Sequence, residues 1–280
     1  QVRREVREKA ERLKARGVVP GLAFVLVGDN PSSLSYVRAK GEAAEEVGIY
    51  SETFRLPASI SQGELLEHIA ALNRDPRFHA ILVQLPLPSH LSEEKTIAAI
   101  DPEKDVDGVT PVNMGRLLRG EPCPQPCTPR GVVELLLRSG HRPEGKHVVI
   151  VGRSNNVGKP LAAILMQKRE GANATVTICH TGTRHLAHFT RQADILVAAM
   201  GSPQAITADM VRPGAVVVDV GNNWVPDPTR KSGRRLVGDV DFEAVKEVAG
   251  AITPVPGGVG PMTVAMVLLN TVELAEKKLS

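Results

Sequence analysis

The chain has 280 residues, with 34 basic against 31 acidic side chains and a net charge of +3. That near balance gives no sustained positive field for nucleic acid or an anionic membrane, and makes a small soluble molecule the expected partner. At 42% hydrophobic the chain can bury a real core, its length points to two domains, and three cysteines, Cys123, Cys127 and Cys179, close no full disulfide set, which fits a reducing cytoplasm.

The opening stretch, QVRREVREKAERLKARG, reads as a charged amphipathic helix without an export pattern. No apolar run reaches the roughly 18 to 20 residues needed to span a bilayer. Beyond it short apolar runs, LAFVLVG, HAILVQLPLP, HVVIVG, ATVTICH, DILVAAMG and AVVVDVG, alternate with helix-like stretches or loops. This rhythm predicts parallel α/β layers.

In SLSYVRAKGEAAEEVGIY, at about 100° per residue, Tyr36, Lys40, Ala43, Ala44 and Val47 share one helix side and Arg38, Glu42, Glu45 and Glu46 the other. A lysine on an apolar face has two readings. Burial would disfavour its ammonium and free the amine as a general base, or its stem packs while its head reaches water. SQGE, from Ser61, has capping-box form. In ILVQLPLP the polar Gln84 follows a buried strand, at the carboxyl end where ligands collect in parallel sheets. DPEKDVDGVTPVN places Asp105 and Asp107 beside a glycine; such a carboxylate either binds an amino-pyrimidine edge or forms the turn.

RGEPCPQPCTPR, residues 119–130, is proline-rich and aperiodic, and the domain boundary is expected there. Cys123 and Cys127 have no second ligand pair, so the segment reads as a connector and no metal is expected. Thr128 as cap and Pro129 in the first turn then start a helix. After the strand HVVIV, the loop GRSNNVGKP keeps Gly152 and Gly158 at the outer positions of a dinucleotide fingerprint and has Ser154 in place of the middle glycine. It either cradles a pyrophosphate at a helix N-terminus or is a plain strand-to-helix connection.

The next strand ends TICHTGT, without the acid that binds a ribose 2′-hydroxyl in NAD sites. Arg153 supplies a guanidinium and Thr181 a hydroxyl for a 2′-phosphate, which predicts NADP; the other reading of Arg153 is a solvated surface arginine. His180, His185 and His188 read as ordinary positions. After the glycine-rich PGGVG, PMTVAMVLLNTVELAEKKLS is a long helix pattern.

The motifs YVRAK, VQLPLP, DVDG, PCTPRG, GRSNNVGKP and PGGVGPMT occur in an order that resembles the bifunctional methylenetetrahydrofolate dehydrogenase/methenyltetrahydrofolate cyclohydrolases, over essentially the whole chain. The resemblance implies a two-domain α/β fold: an N-terminal α/β catalytic domain over 1–127, to which a C-terminal helix at 262–280 returns, and a Rossmann-like NADP-binding domain with a parallel sheet over 128–261. It implies oxidation of 5,10-methylenetetrahydrofolate by NADP and hydrolysis of the methenyl cation to 10-formyltetrahydrofolate, with tetrahydrofolate one-carbon derivatives as partners, in a cytoplasmic homodimer.

Carried onto this sequence, Lys40 is the catalytic lysine and proton shuttle, Tyr36 packs on the folate, Gln84 tunes Lys40, and Asp107 anchors the pterin. Val83, Leu85, Pro256, Gly257, Gly258, Val259, Gly260, Pro261, Met262 and Thr263 complete the substrate positions. Gly152, Arg153, Ser154, Gly158, Thr181 and Asn222 match the cofactor positions. Thr181 stands where the family often has serine, Asn222 where it has an apolar residue, and the chain begins directly in its first helix. Two rivals remain, a dehydrogenase that has lost hydrolysis and a nucleotide-sensing module without turnover; retention of Lys40 and Gln84 speaks against both.

Overall fold

A computed structural model of the chain describes residues 1–230 and 232–279. Backbone contacts divide it into two units: Gln1–Cys127 together with the chain from Val264 onward, and Thr128–Thr263. Ser280, included in the expected final helix, lies outside the described residues.

The first unit opens with α1 (Val2–Ala15), which buries Val2, Val6, Ala10 and Leu13 at helical spacing. β1 (Gly21–Val27) is buried along its whole length. α2 (Pro31–Glu46) follows, its start fixed by Asn30, whose side chain accepts from the amides of Ser32 and Ser33, and by Pro31 in the first turn. β2 (Tyr50–Leu56), α3 (Gln62–Arg74), β3 (Ala80–Val83), α4 (Glu93–Ala98) and α5 (Pro111–Arg119) complete the run. α3 begins with the capping box of Ser61 and Glu64. The three strands are parallel in the order β2-β1-β3, so β1 is the centre, which is why it is apolar throughout. Alternate β1 residues Ala23, Val25 and Val27 form a core with Leu65, Ile69 and Leu72 of α3 and with Phe78, Ile81 and Val83.

The second unit runs α6 (Cys127–Arg138), β4 (His147–Val151), α7 (Gly158–Leu165), β5 (Thr175–Cys179), α8 (Leu186–Thr190), β6 (Ile195–Ala198), β7 (Val216–Asp219), β8 (Asn223–Pro226), β9 (Arg234–Val237), α9 (Phe242–Val245) and β10 (Ala251–Ile252). Five strands form a parallel sheet in the order β10-β7-β6-β4-β5. The chain leaves β4 for one edge and returns to β6 on its other side, so the loops after β4 and β6 diverge at a switch point, where open α/β sheets bind ligands. β8 and β9 pair antiparallel.

α6 starts at Cys127, so Thr128 lies inside the helix instead of capping it; its hydroxyl meets that of Thr263 at 3.0 Å. The last helix, α10 (Val259–Glu276), starts two residues before Pro261, which then sits in the first turn, where its missing N–H costs nothing. Val259–Leu279 is long and apolar enough to cross a membrane by length and composition, which corrects the reading that no segment reaches that length. Its apolar side chains have a different use. Ala265, Met266, Val267, Leu268, Val272, Leu274 and Ala275 are buried in the fold, the pattern of a core helix apolar on all sides.

Candidate active site

In the first unit the cap at Asn30 sets the phase of α2. Ser33, Val37, Ala44 and Val47 are buried, and Lys40, in register between Val37 and Ala44, is half-buried. Lys40 thus lies between the two readings of its helix side, neither fully buried nor fully exposed, and Tyr36, one turn earlier, is 40% exposed.

Gln84 is the first residue past β3. Its amide N–H donates to Val25 O at 2.9 Å, which ties it to the central strand. Its side-chain Nε2 donates to Leu85 O at 2.7 Å, and this fixes the orientation of the amide, leaving Oε1 to accept from Lys40 Nζ at 3.1 Å. Val83 is buried beneath it.

The DVDG loop divides its two carboxylates between different tasks. Asp105 is buried and accepts from Thr110 N at 2.8 Å and Asn113 Nδ2 at 2.9 Å, so it is the turn-former. Asp107 is half-buried. Desolvation pushes its carboxyl above the usual carboxylate range, the nearby Lys40 charge opposes this, Asp105 adds to it, and the Cys127 thiol opposes it again. Gly108 has φ +64, and a Cβ there would lie 2.4 Å from Pro124 O; the loop closes against the proline-rich connector only because this residue is glycine. Asn270 of α10, buried, donates to Val106 O at 2.7 Å and Gln125 O at 2.8 Å, holding the same loop from the other side. Sequence reasoning did not single out Asn270, because an asparagine inside an apolar helix shows its use only through partners far along the chain.

In the second unit Gly152 ends β4 at φ +138, and a Cβ there would stand 2.0 Å from Ala199 O; one on Gly158 would stand 2.1 Å from Gly152 O. Both are close backbone approaches that only glycine allows, and they let the chain turn tightly from β4 into α7. Ser154 Oγ accepts from Val157 N at 3.1 Å, and Arg153, Ser154, Thr181 and Asn222 are exposed around the loop. Ala199–Ser202, the loop after β6, is held by Asp239. Its carboxylate is buried and accepts from Met200 N at 2.7 Å, Gly201 N at 3.0 Å, Ser202 N at 2.9 Å and Asn223 Nδ2 at 2.8 Å.

Asp219, at the end of β7, accepts from Gly221 N at 2.9 Å, Asp239 N at 2.9 Å and Val240 N at 3.0 Å. Burial, and less so Asp239, pushes its carboxyl up, while these amides pull it down. This aspartate pair was not among the sequence candidates. In the Pro256–Thr263 segment, Gly257 has φ +110, Gly258 N donates to Pro254 O at 3.0 Å, and a Cβ on Gly131 would lie 3.2 Å from Met262 Cβ. Among the described residues no group of three or more His, Cys, Asp and Glu side chains is placed to hold a metal ion.

Residues 1–107 match the family model described as tetrahydrofolate dehydrogenase/cyclohydrolase, catalytic domain, and residues 126–279 match the NAD(P)-binding domain of the same description. The chain belongs to the tetrahydrofolate dehydrogenase/cyclohydrolase family. A bifunctional protein FolD of Dehalococcoides mccartyi (strain CBDB1) is 60% identical over 277 residues, 99% of this chain and 93% of the relative. The crystal structure of the bifunctional FolD methylenetetrahydrofolate dehydrogenase/cyclohydrolase from Campylobacter jejuni superposes with a TM-score of 0.93 at 47% identity, over 99% of this chain and 95% of that one. The Trypanosoma brucei FolD, solved with NADP cofactor and inhibitor, gives 0.93 at 39% identity, over 99% and 94%.

Proposed function

We propose that Lys40, held by Gln84 and adjoining Asp107, carries the proton transfers of a bifunctional enzyme of one-carbon metabolism. The enzyme oxidises 5,10-methylenetetrahydrofolate with NADP to the 5,10-methenyl cation and hydrolyses that cation to 10-formyltetrahydrofolate. The observation that carries the reading is the Lys40–Gln84 hydrogen bond of 3.1 Å, in a site that also contains a carboxyl raised by burial and opposed by Lys40.

NADP fits the second unit because the glycine-bearing loop joins the carboxyl end of β4 to the N-terminus of α7, where the loops after β4 and β6 diverge. Gly152, Arg153, Ser154, Gly158, Thr181 and Asn222 would hold it, with Arg153 on the 2′-phosphate. When bound, NADP supplies the two-electron oxidant of the first reaction. That step leaves a cation stabilised by two nitrogens, so it demands positioning more than a base.

Hydration is different: water attacking the methenyl carbon must lose a proton, and the nitrogen that departs as the ring opens must gain one. One net proton is released. Lys40 Nζ takes the first proton as the amine and returns one as the ammonium. Gln84 Oε1 accepts a hydrogen of Nζ and so fixes its direction. Tyr36 packs against the folate ring, and Asp107 accepts from the amino-pyrimidine edge, whose N–H donors replace the water that its half-buried carboxyl lacks.

Three free cysteines, Cys123, Cys127 and Cys179, support a reducing cytoplasmic setting, and sedimentation analysis tests the homodimer the family implies. The function is tested by giving the enzyme methylenetetrahydrofolate and NADP and following NADPH, methenyl and formyl products optically. All three are expected; NADPH without formyl product would leave only a dehydrogenase, and no NADPH would leave a binding module.

A further inference from the structure

His180 follows β5 in the turn that also carries Thr181. Its ring is pinned: Nδ1 accepts from Gly182 N at 3.0 Å, its own amide donates to Thr183 Oγ1 at 2.9 Å, and Thr183 N donates back to its carbonyl at 2.8 Å. Gly182 lets the ring lie close, since a Cβ there would be 3.1 Å from it. A neutral imidazole has one N–H and one lone pair to offer in its plane. With Nδ1 spent as acceptor, the hydrogen is on Nε2. Yet Nε2 faces Arg153 Nη1 at 3.4 Å, and a guanidinium has only donors. Two donors therefore face each other, and no hydrogen bond joins them directly. An acceptor that both can reach satisfies the pair.

A second observation gives the charge of that acceptor. Among the described residues no carboxylate pairs with Arg153, although Arg138, Arg142, Arg191 and Arg212 of the same unit each have one. The turn itself, CHTGT, contains no acid.

We propose that His180 is a specificity-determining residue for the adenosine 2′-phosphate, its Nε2–H and the Arg153 guanidinium gripping the phosphate oxygens from two sides. This rests on the reading that the Gly152–Gly158 loop binds NADP. It gives a role to a histidine that looks ordinary in sequence, and it supplies discrimination against NAD from a preorganised ring whose turn is already hydrogen-bonded.

The test is calorimetric titration of NADP and NAD into the full-length His180→Asn variant. An asparagine carbonyl can still accept from Gly182, but its amide is too short to stand where Nε2 stood. Loss of one hydrogen bond to a charged group is expected to weaken NADP by about tenfold and leave NAD within about twofold. Unchanged NADP affinity, or equal weakening of both cofactors, would overturn the proposal. Arg153→Ala, measured alongside, separates it from the reading beneath it. If Arg153→Ala weakens NADP selectively and His180→Asn does not, only the role of His180 fails; if Arg153→Ala does not weaken NADP selectively, the 2′-phosphate site itself fails.

Discussion

Lys40 on α2 and Gln84 beyond β3 meet through a hydrogen bond of 3.1 Å, and the Gln84 amide cannot turn away because Leu85 O holds its other end at 2.7 Å. Replacing Gln84 by Leu keeps the bulk and removes the acceptor. Hydrolysis of the methenyl cation is expected to slow by about ten- to a hundredfold, the scale of one hydrogen bond to a charged group. Steady-state assays of both reactions check this. An equal loss of NADPH formation would show that Gln84 shapes the site in general and does not act through Lys40.

Asp107 links binding to pH. Its folded-state pKa is raised, so the folded chain holds that proton more tightly than the unfolded chain, and ionising it opposes folding. The penalty is absent below the unfolded carboxylate pKa of about 4, grows as pH rises through that value, and is complete above the folded pKa. Thermal unfolding of ligand-free Asp107→Asn should therefore show a gain over the parent near neutral pH that vanishes in acid. The same substitution should weaken folate and lower both activities while NADP affinity stays near the parent value. A stability difference independent of pH, or loss of only one activity, would contradict this role.

The glycine loop makes a steric prediction. Gly152→Ala places a Cβ 2.0 Å from Ala199 O at φ +138, so the β4 and β6 loops must part. NADP affinity is expected to fall by at least about tenfold, with a lower unfolding temperature. Parent-like NADP binding by titration would show that the loop is a connection and not a cofactor cradle.

Asp239 holds the loop after β6 through three consecutive backbone amides. Asp239→Asn turns one of two saturated acceptor oxygens into a donor facing donors, which costs about 2 to 4 kcal/mol of stability. Weakened NADP is expected, and hydrolysis of supplied methenyltetrahydrofolate, which consumes no cofactor, should be retained at a temperature where the variant is folded. Loss of hydrolysis alone would contradict this division.

How legible these parts are in sequence follows from how local their signals are. Buried central strands such as β1 and β4 are continuous apolar runs, and Lys40 and Gln84 are polar residues interrupting strong periodic patterns. β2 is an edge strand that mixes exposed and half-buried residues, so YSETFRL has no apolar run to read; β8 and β9, a separate two-stranded pair with half of their residues exposed, have none either. The site residues that escaped are those whose partners are distant backbone groups. Asp239 looks like any turn aspartate until its amide donors, 37 to 39 residues away, are seen. Asn270 meets Val106 across 164 residues. His180 differs from a surface histidine only in which ring nitrogen its neighbours occupy.

The central claim, that Lys40 is the proton shuttle of hydration, is tested most directly by Lys40→Met, which keeps the stem and removes the ammonium. With methenyltetrahydrofolate supplied, enzyme-dependent formation of 10-formyltetrahydrofolate above the uncatalysed background should be abolished. NADPH production from methylenetetrahydrofolate should survive in larger part and report that the variant is folded. Conversion of methenyl to formyl product at the parent rate by folded Lys40→Met would contradict the account.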